Sequence, residues 1–356
     1  MSTDVAVEPW LVLPSTAGPG SYRRLLDLGE RADTAGWHAL AVADSAFALG
    51  FHESTVALAA LAARTRRARL VVACLSTLGL RDPLTVAQQW ANLDAVSDGR
   101  MHLVACPGNR TGSRHERERA AFGIDYDEKL ARTEEHLAFL RTASRPGSVT
   151  FHGRRVHVDD LTFVPPFVQD RLPLWLTGNP GAEAGPQTLE RVLGRVARLG
   201  DGWLTYNIRP ADLAPRIRLL HELRDRAVAD GLEVAVPEGR LPVAVQVRFT
   251  LADTDQAAAD EARAAWSTAS TRGISEDDLT QVFAVGTPAR ALTLIDDLRA
   301  AGATAVALSP LGRDDAEQID RATAELLPHL RTTPASTDAP RTPATTTATT
   351  TTEADA

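Results

Sequence analysis

Short apolar runs alternate with stretches of helical spacing in the first part of the chain. Three runs are short and apolar: Ala39–Ala43, Leu70–Leu75 and His102–Cys106. Two longer stretches carry apolar residues at helical spacing, Val56–Ala63 and Val86–Val96. Such alternation is typical of βα units on a parallel sheet, whose strands are buried on both faces. The pattern therefore predicts repeated βα units, with chemistry at the carboxyl ends of the strands.

Over its whole length the sequence predicts eight strands and the helices that follow them. The strands are Val5–Leu13, Ala39–Ala43, Leu70–Thr77, Met101–Cys106, Pro173–Thr177, Gly202–Tyr206, Val243–Leu251 and Ala305–Leu308. The helices are Tyr22–Ala35, Ser54–Arg64, Pro83–Val96, Glu128–Leu140, Gln187–Leu199, Leu213–Ala229, Gln256–Trp266, Thr287–Ala301 and Ala316–Leu330. Eight such strands close a TIM barrel. An open doubly wound sheet is the competing fold, but no G-x-G-x-x-G follows a strand and the alternation does not split into two halves.

The stretch Thr142–Arg171 interrupts this alternation. Arg145-Pro146-Gly147 and Pro165-Pro166 flank the run Thr150–Val158, which indicates a hairpin-like excursion in place of a further βα unit. After residue 331 the chain is rich in Thr, Ala and Pro and has no periodicity. We therefore expect one TIM-barrel domain over residues 1–331 with an insertion at 142–171, and a disordered tail over residues 332–356.

Composition narrows the classes of function. The formal net charge of −8, with no Lys/Arg cluster interleaved with aromatic residues, argues against a nucleic-acid partner. The N-terminus has no positively charged segment before an apolar core, and no stretch approaches the roughly 18 apolar residues of a membrane span. Cys74 and Cys106 lie in apolar runs without CxxC or Cys/His spacing, which predicts buried thiols. We therefore expect a cytoplasmic protein in a reducing compartment, with no membrane contact.

Polar and turn-forming residues follow the predicted strands, where a barrel carries its active site. They are Pro14, Asp44, Ser45, Ser76, Thr77, Cys106, Pro107, Gly108, Asn109, Arg110, Thr177, Gly178, Asn179, Tyr206, Asn207, Thr250 and Ser309. The set lacks the two strand-end acids of a glycosidase and the His-x-His pair of a metallohydrolase barrel, so we expect no metal site. It suits a bound cofactor that carries the chemistry itself. A helix cap or turn is the alternative role for each serine and threonine.

The loop after the fifth predicted strand is a candidate phosphate site. Gly178, Asn179 and the Gly181–Gly185 stretch precede a helix that starts near Gln187. Free backbone amides would there meet the positive end of a helix dipole. Loops rich in glycine and proline also occur for turn geometry alone, so both explanations stay open.

The chain resembles the luciferase-like family of flavin-dependent oxidoreductases over most of residues 5–330. The matching motifs are G-W-x-A-x-x-V-A-D at Gly36–Asp44, T-x-R-x-R-L at Thr65–Leu70, R-D-P at Arg81–Pro83, L-D-x-x-S-x-G-R at Leu93–Arg100, Phe122-Gly123, R-L-G-D-G-W at Arg198–Trp203 and V-G-T-P at Val285–Pro288. Each motif alone is weak, whereas their order and spacing are specific. The resemblance implies a TIM barrel with an insertion next to the fifth strand and a flavin across the carboxyl-terminal mouth.

By position, the resemblance implies roles for residues at this mouth. Ala43 to Ser45 would lie at the flavin ring or the substrate, Ser76 and Thr77 at the ring edge, and the Cys106–Arg110 stretch along the fourth loop. Tyr126 would reach the phosphate or ribityl chain, and Thr177 to Asn179 would form the phosphate loop. The implied cofactor-binding residues are Ala43, Ser76, Thr77, Cys106, Gly108, Asn109, Arg110, Tyr126, Thr177, Gly178 and Asn179.

The proton donor is the point at which this chain departs from the family. Much of the family has a histidine after the second strand, where this chain has Asp44 and Ser45. Those two residues and His52, further along the same loop, are the candidate catalytic residues. A solvated loop histidine is the alternative role for His52, because sequence does not establish the geometry that a base needs. His115 lies in the charged run Arg114–Arg119, which predicts a solvated helix face.

Two cofactors are compatible with the resemblance. Reduced FMN with O2, which we favour, implies a monooxygenase acting on paired donors with a small organic substrate, its flavin reduced by NAD(P)H or a separate flavin reductase. An Asp-Ser pair together with R-D-P also resembles the branch that uses 8-hydroxy-5-deazaflavin as a hydride carrier, which implies a reductase or dehydrogenase. The missing histidine leaves a non-catalytic flavin-binding barrel as a third alternative. Related barrels are commonly homodimers, although no exposed apolar stripe here predicts one. Rim loops set the substrate, so its identity is open.

Overall fold

The computed structural model describes residues 7–330 apart from residues 48, 182 and 270–273. Its strands are β1 (Glu8–Val12), β2 (Ala39–Val42), β3 (Arg69–Leu75), β4 (Met101–Ala105), β5 (Val149–His152), β6 (His157–Leu161), β7 (Leu174–Thr177), β8 (Trp203–Tyr206), β9 (Val243–Leu251), β10 (Ala284–Gly286) and β11 (Ala305–Pro310). The predicted tail at 332–356 lies outside the described residues.

The α-helices that alternate with these strands bear out the helical periodicity of the sequence. They are α1 (Ser21–Ala35), α2 (Ser54–Arg64), α3 (Pro83–Val96), α4 (Ser113–Ala121), α5 (Tyr126–Ala143), α6 (Pro186–Leu199), α7 (Pro210–Ala229), α8 (Asp255–Ala269), α9 (Pro288–Ala300), α10 (Asp315–Glu325) and α11 (Leu327–Leu330). A 3₁₀ turn at Leu78–Leu80 and a π turn at Asp278–Val282 complete the helical elements of the described residues. None of these helices is both long enough and apolar enough to cross a membrane.

Eight parallel strands close into a barrel. Their order is β1-β2-β3-β4-β7-β8-β9-β11, and β11 pairs back with β1. The short strand β10 extends the wall by pairing with the end of β9. The predicted TIM barrel is therefore confirmed, and the insertion at 142–171 contains the expected hairpin, in which β5 and β6 pair antiparallel.

The inside of the barrel is filled at its amino-terminal end. Trp10 and Trp175 lie with their ring centroids 5.4 Å apart, and the His102 ring packs edge-on against Trp175 at 4.7 Å. Gly202 provides room for this arrangement, because a Cβ at that position would collide with the Trp175 ring. Small residues such as Ala41 line the rest of the interior. Beyond these rings the barrel opens into a cavity at its carboxyl-terminal mouth.

Candidate active site

Asp44 joins the ends of neighbouring strands at the mouth. Its buried carboxylate accepts hydrogen bonds from Ser54 Oγ at 2.7 Å, from Thr77 Oγ1 at 2.8 Å and from the Thr77 amide at 2.9 Å. Arg81 Nη2 donates to it at 3.1 Å, and Ser76 Oγ lies 3.4 Å away. The Arg81 contact gives the R-D-P motif a physical role, because it links the loop after β3 to the end of β2. The structure therefore brings the predicted residues Asp44, Ser76 and Thr77 together, with the carboxylate oxygens already engaged.

A buried charged pair lies beside Ser45. The Ser45 hydroxyl donates to Glu118 Oε2 at 3.1 Å, and the Phe47 amide donates to the same oxygen at 3.0 Å. Lys129 Nζ lies 3.8 Å from Glu118 Oε1, and both side chains are 2% exposed. Burial lowers the pKa of Lys129, and the Glu118 carboxylate opposes that shift. Gly108, with φ of +74°, approaches this group so closely that a Cβ would lie 3.2 Å from Lys129 Nζ.

Sequence reasoning missed this pair because Glu118 belongs to the charged run Arg114–Arg119. The expected solvated face is wrong for Glu118 and Arg119, which are 2% and 6% exposed. Arg119 donates from Nη1 to the Asn109 carbonyl at 2.8 Å and from Nη2 to the Arg110 carbonyl at 2.9 Å. Helix α4 therefore folds over the mouth and holds the loop after β4. The run has no apolar periodicity that could have signalled its burial.

Tyr126 has two guanidinium groups near its ring. Arg110 stacks over its ring at 4.3 Å and Arg119 lies 5.6 Å from the ring centroid. Arg110 also pairs with exposed Asp127 at 2.6 Å. The predicted residues Arg110 and Tyr126 are thus neighbours, and with Arg119 they form a cationic cluster. Guanidinium groups in such a cluster suit an anionic oxygen group such as a phosphate.

Cys74 and Cys106 form a disulfide instead of the expected thiols. They lie at the ends of the adjacent strands β3 and β4, with their Cα atoms 5.8 Å apart. This separation is within the range that a disulfide spans. The prediction of thiols failed because 32 residues separate the two positions in sequence, and only the pairing of the strands brings them together.

The loop after β7 packs tightly on the helix that follows. The Trp203 indole donates to the Gly178 carbonyl at 2.8 Å, and Thr205 Oγ1 donates to Asn179 Oδ1 at 2.9 Å. A Cβ at Gly178 would lie 3.0 Å from the side chains of Val192 and Val196. Close packing therefore accounts for this glycine. Helix α6 begins just beyond the loop without a side-chain cap, so the phosphate site there stays a prediction.

His52 is buried and held by the first helix. Its side chain is 2% exposed, its Nε2 lies 2.7 Å from Ser21 Oγ, and its ring packs against Tyr22 at 4.1 Å. Burial lowers the pKa of His52, which favours the neutral ring. The alternative of a solvated loop histidine is therefore wrong, whereas a catalytic role for His52 stays a prediction.

A cavity of about 190 Å³ opens at the mouth of the barrel. It is lined by Ala73, Cys74, Thr177, Leu204, Tyr206, Asn207, Gln246 and Arg248. Gln246 and Arg248 are half-buried and alternate with buried residues along β9, so they face the barrel interior. Sequence reasoning predicted this strand but did not select Arg248. An arginine on the inward side of a strand was the available signal.

Known proteins resemble this chain in sequence. The family model for luciferase-like monooxygenases matches residues 8–305. An uncharacterized protein of Mycobacterium tuberculosis (strain ATCC 25618 / H37Rv) is 28% identical over 188 residues, which are 53% of this chain and 61% of that protein. The match thus spans less than two thirds of the length of this relative.

Solved structures share the architecture at low sequence identity. Monooxygenase RslO1 from Streptomyces bottropensis has a TM-score of 0.72 at 22% identity, covering 91% of this chain and 99% of its own. An F420-dependent secondary alcohol dehydrogenase, solved with an F420–acetone adduct, has a TM-score of 0.70 at 16% identity, covering 91% and 100%. The oxygenating constituent of 3,6-diketocamphane monooxygenase from the CAM plasmid of Pseudomonas putida, solved with FMN, has a TM-score of 0.68 at 14% identity, covering 91% and 98%.

The structural likenesses show a common fold, and the family match spans most of the chain, from the first strand of the barrel to the last. The chain belongs to the luciferase-like monooxygenase family.

Proposed function

We propose that this chain is a flavin-dependent oxidoreductase that uses reduced FMN and O2 to oxygenate a small organic molecule. The observation that carries the proposal is the lining of the mouth cavity, which combines an apolar wall with hydroxyl, phenol and amide groups. Such a lining binds and orients a cofactor whose own ring performs the chemistry. When bound, reduced FMN supplies the electrons for the reaction with oxygen.

The residues present fit a flavin. Ala73 and Leu204 offer an apolar surface, and Thr177, Asn207 and Gln246 offer the hydrogen-bonding groups that a ring edge requires. The cluster of Arg110, Arg119 and Tyr126 offers positive charge for a phosphate. Cys106, joined to Cys74 in the cavity wall, lies on the same side of the mouth.

In this proposal the proton that the missing histidine would donate comes from Ser45, Glu118 and Lys129. Ser45 lies after β2, where the resemblance expects that histidine, and it contacts Glu118, which in turn faces Lys129. A lysine whose pKa is lowered by burial gives up a proton more readily than an exposed one. Asp44 is a positioning residue here, because its carboxylate holds the ends of β2 and β3 together.

Hydride transfer with a deazaflavin is the second candidate. The fold of the F420-dependent alcohol dehydrogenase covers this chain as fully as that of the monooxygenases, with a TM-score of 0.70. A deazaflavin does not activate oxygen, so the cofactor that binds decides between the two reactions.

Cofactor titration tests both candidates. The full chain is titrated with FMN and with 8-hydroxy-5-deazaflavin, each oxidised and reduced, and binding is followed by absorbance and fluorescence. Preferential binding of reduced FMN, with oxygen consumption that differs from that of free reduced FMN, supports the monooxygenase. Tight deazaflavin binding without FMN binding supports hydride transfer, and binding of neither contradicts the flavin proposal.

Electron supply and assembly are tested on the same sample. NAD(P)H oxidation by the chain with FMN present would show that the chain reduces its own flavin. Turnover only after a flavin reductase is added would identify that enzyme as a partner. A homodimer stays a prediction, which light scattering after size-exclusion chromatography measures directly.

A further inference from the structure

We infer that the mouth cavity binds a small organic carboxylate through the guanidinium of Arg248. The inference rests on the proposed function for its catalytic meaning, because it names the substrate class of that same site. Its physical basis is a cationic side chain whose hydrogen-bonding capacity the described part of the chain leaves unused.

Arg248 faces the mouth from the wall of the barrel. It lies on β9 opposite Ser309 of β11, and its guanidinium stacks over the Trp266 ring at 5.2 Å. Within the described residues it forms no hydrogen bond and no ion pair. Burial lowers the pKa of Arg248, and the nearby Asp315 carboxylate opposes that shift. Stacking on an aromatic face leaves the in-plane N–H groups of a guanidinium available for another partner.

Other arginines that are buried or half-buried use their N–H groups within the protein. Arg216 donates to the carbonyls of Pro180 and Gly181 at 2.7 and 3.0 Å, and Arg119 donates to two carbonyls of the loop after β4. Arg141 donates to an Asp201 carboxylate oxygen at 2.7 Å. Even a half-buried cation without such partners carries a desolvation cost that a bound anion would offset. The guanidinium of Arg248 is therefore arranged for a ligand.

The cavity lining favours an anion over a cation. No carboxylate contributes to it among the described residues, and its amide and hydroxyl groups, from Asn207, Gln246, Tyr206 and Thr177, can donate to further oxygens. A planar guanidinium matches a planar carboxylate with two parallel hydrogen bonds. The charge and the donors of the cavity thus both point to a carboxylate.

The size of the cavity suits this small ligand beside the edge of a flavin ring, and the rest of a cofactor would lie outside it. About 190 Å³ is smaller than the roughly 300–1,000 Å³ of pockets that hold drug-sized molecules. The cluster of Arg110, Arg119 and Tyr126 already offers positive charge for a cofactor phosphate. We therefore assign Arg248 to the substrate.

Calorimetric titration with matched pairs of probes tests the inference. Formate, acetate, propionate and benzoate are compared with their neutral amides, without flavin, on the full native chain. We expect at least one carboxylate to bind roughly ten- to hundredfold more tightly than its amide, and that preference to fall with added salt. Arg248→Gln should abolish the preference, and Arg248→Lys should retain part of it. Arg31→Gln, which removes an exposed ion pair between α1 and α10, is the control and should keep the preference.

Several outcomes would overturn the inference. One is that no carboxylate binds more tightly than its amide, and another is that a folded Arg248→Gln variant keeps the preference. If that variant does not fold, the native chain is measured at high salt instead. A preference for carboxylates over amides that high salt leaves unchanged, with the affinity for the amides also unchanged, would equally overturn the inference.

Flavin titrations separate the two possible sources of the anion. If Arg248→Gln weakens FMN binding but not riboflavin binding, Arg248 serves the cofactor phosphate and the substrate assignment fails while the proposed function stands. If no flavin binds but the carboxylate preference depends on Arg248, the proposed function fails and the anion site stands.

Discussion

The Ser45 hydroxyl donates a hydrogen bond to Glu118 Oε2 over 3.1 Å, although 73 positions separate the two residues in sequence. The contact joins the loop after β2 to helix α4, and it places a buried carboxylate beside Lys129, the single lysine of the chain. Helix α4, which carries mostly charged residues, is thereby held against the mouth of the barrel.

Glu118→Gln should destabilise the protein by about 3 kcal/mol, because it leaves the buried Lys129 ammonium without its counter-charge. Replacing both residues, as Glu118→Gln with Lys129→Met, should recover a large part of that loss. Urea unfolding of the native chain, both single variants and the double variant measures the coupling. A double variant whose loss equals the sum of the two single losses would show that the two charges do not interact.

Asp44→Asn should lower the free energy of unfolding by about 2–4 kcal/mol and weaken flavin binding, because an amide cannot accept all the hydrogen bonds that the carboxylate accepts. Asp82→Asn is the matched control. Asp82 caps α3 by accepting from the Thr85 amide at 2.8 Å, and asparagine caps helices as well as aspartate does. Chemical unfolding measures the free energy of unfolding of both variants. Equal losses in Asp44→Asn and Asp82→Asn would show that Asp44 acts only as an ordinary helix cap.

Tyr126→Phe should weaken FMN binding roughly tenfold and leave riboflavin binding unchanged, because it removes a hydroxyl but keeps the ring near Arg110 and Arg119. Fluorescence titration with both flavins gives the two dissociation constants. Tyr22→Phe, on the first helix, serves as the control. An unchanged constant for FMN would remove Tyr126 from the cofactor site.

Reduction of the Cys74–Cys106 disulfide should destabilise the protein by about 4 kcal/mol, the loss expected for a loop closed by residues 32 positions apart. The unfolded, unreduced chain should show no free thiol in a colorimetric assay, and two after reductant. Cys106→Ser should be as stable as the reduced native chain and insensitive to reductant. Two thiols detected without reductant would argue against the bond.

His102 should make the protein acid-sensitive. Burial between Trp10 and Trp175 lowers its pKa to about 3, and the positive charges of Arg69 and His38 add to the shift. The unfolded chain takes up this proton below about pH 6.5 while the folded chain does not, so stability is lost as the pH falls from 6.5 towards 3. Each pH unit by which the pH falls in that window lowers the free energy of unfolding by about 1.4 kcal/mol.

His102→Leu should remove this part of the pH dependence. Neither ring nitrogen of His102 has a hydrogen-bond partner in the described part of the chain, so leucine loses no such bond at pH 7. Unfolding free energies at pH 7 and pH 5 should differ by about 2 kcal/mol less in the variant than in the native chain. Identical pH slopes would place the acid sensitivity elsewhere.

Several motifs that carry the family resemblance stabilise loops of the fold. Asp33 accepts from the amides of Arg66, Arg67 and Ala68, which gives the T-x-R-x-R-L motif its fixed turn. Asp94, in L-D-x-x-S-x-G-R, accepts from Gln169 and so anchors the end of the insertion. Neither residue lines the mouth cavity. These motifs therefore identify the fold more directly than the chemistry.

The sequence by itself determined the barrel. Strand and helix periodicity depend on local alternation of apolar and polar positions, and eight βα units leave one closed parallel arrangement. It also placed Asp44, Ser76 and Thr77 at strand ends, because parallel strands end on the same face. Such inferences need only the order of residues and the geometry of the repeating unit.

Only the tertiary structure decided the contacts between distant elements. The Cys74–Cys106 bond depends on the register of β3 against β4, and the burial of Glu118 depends on how α4 folds over the mouth. The unused N–H groups of Arg248 depend on which of the described groups surround it within the barrel. Burial and pairing are properties of three-dimensional packing, and no local pattern in the sequence encodes them.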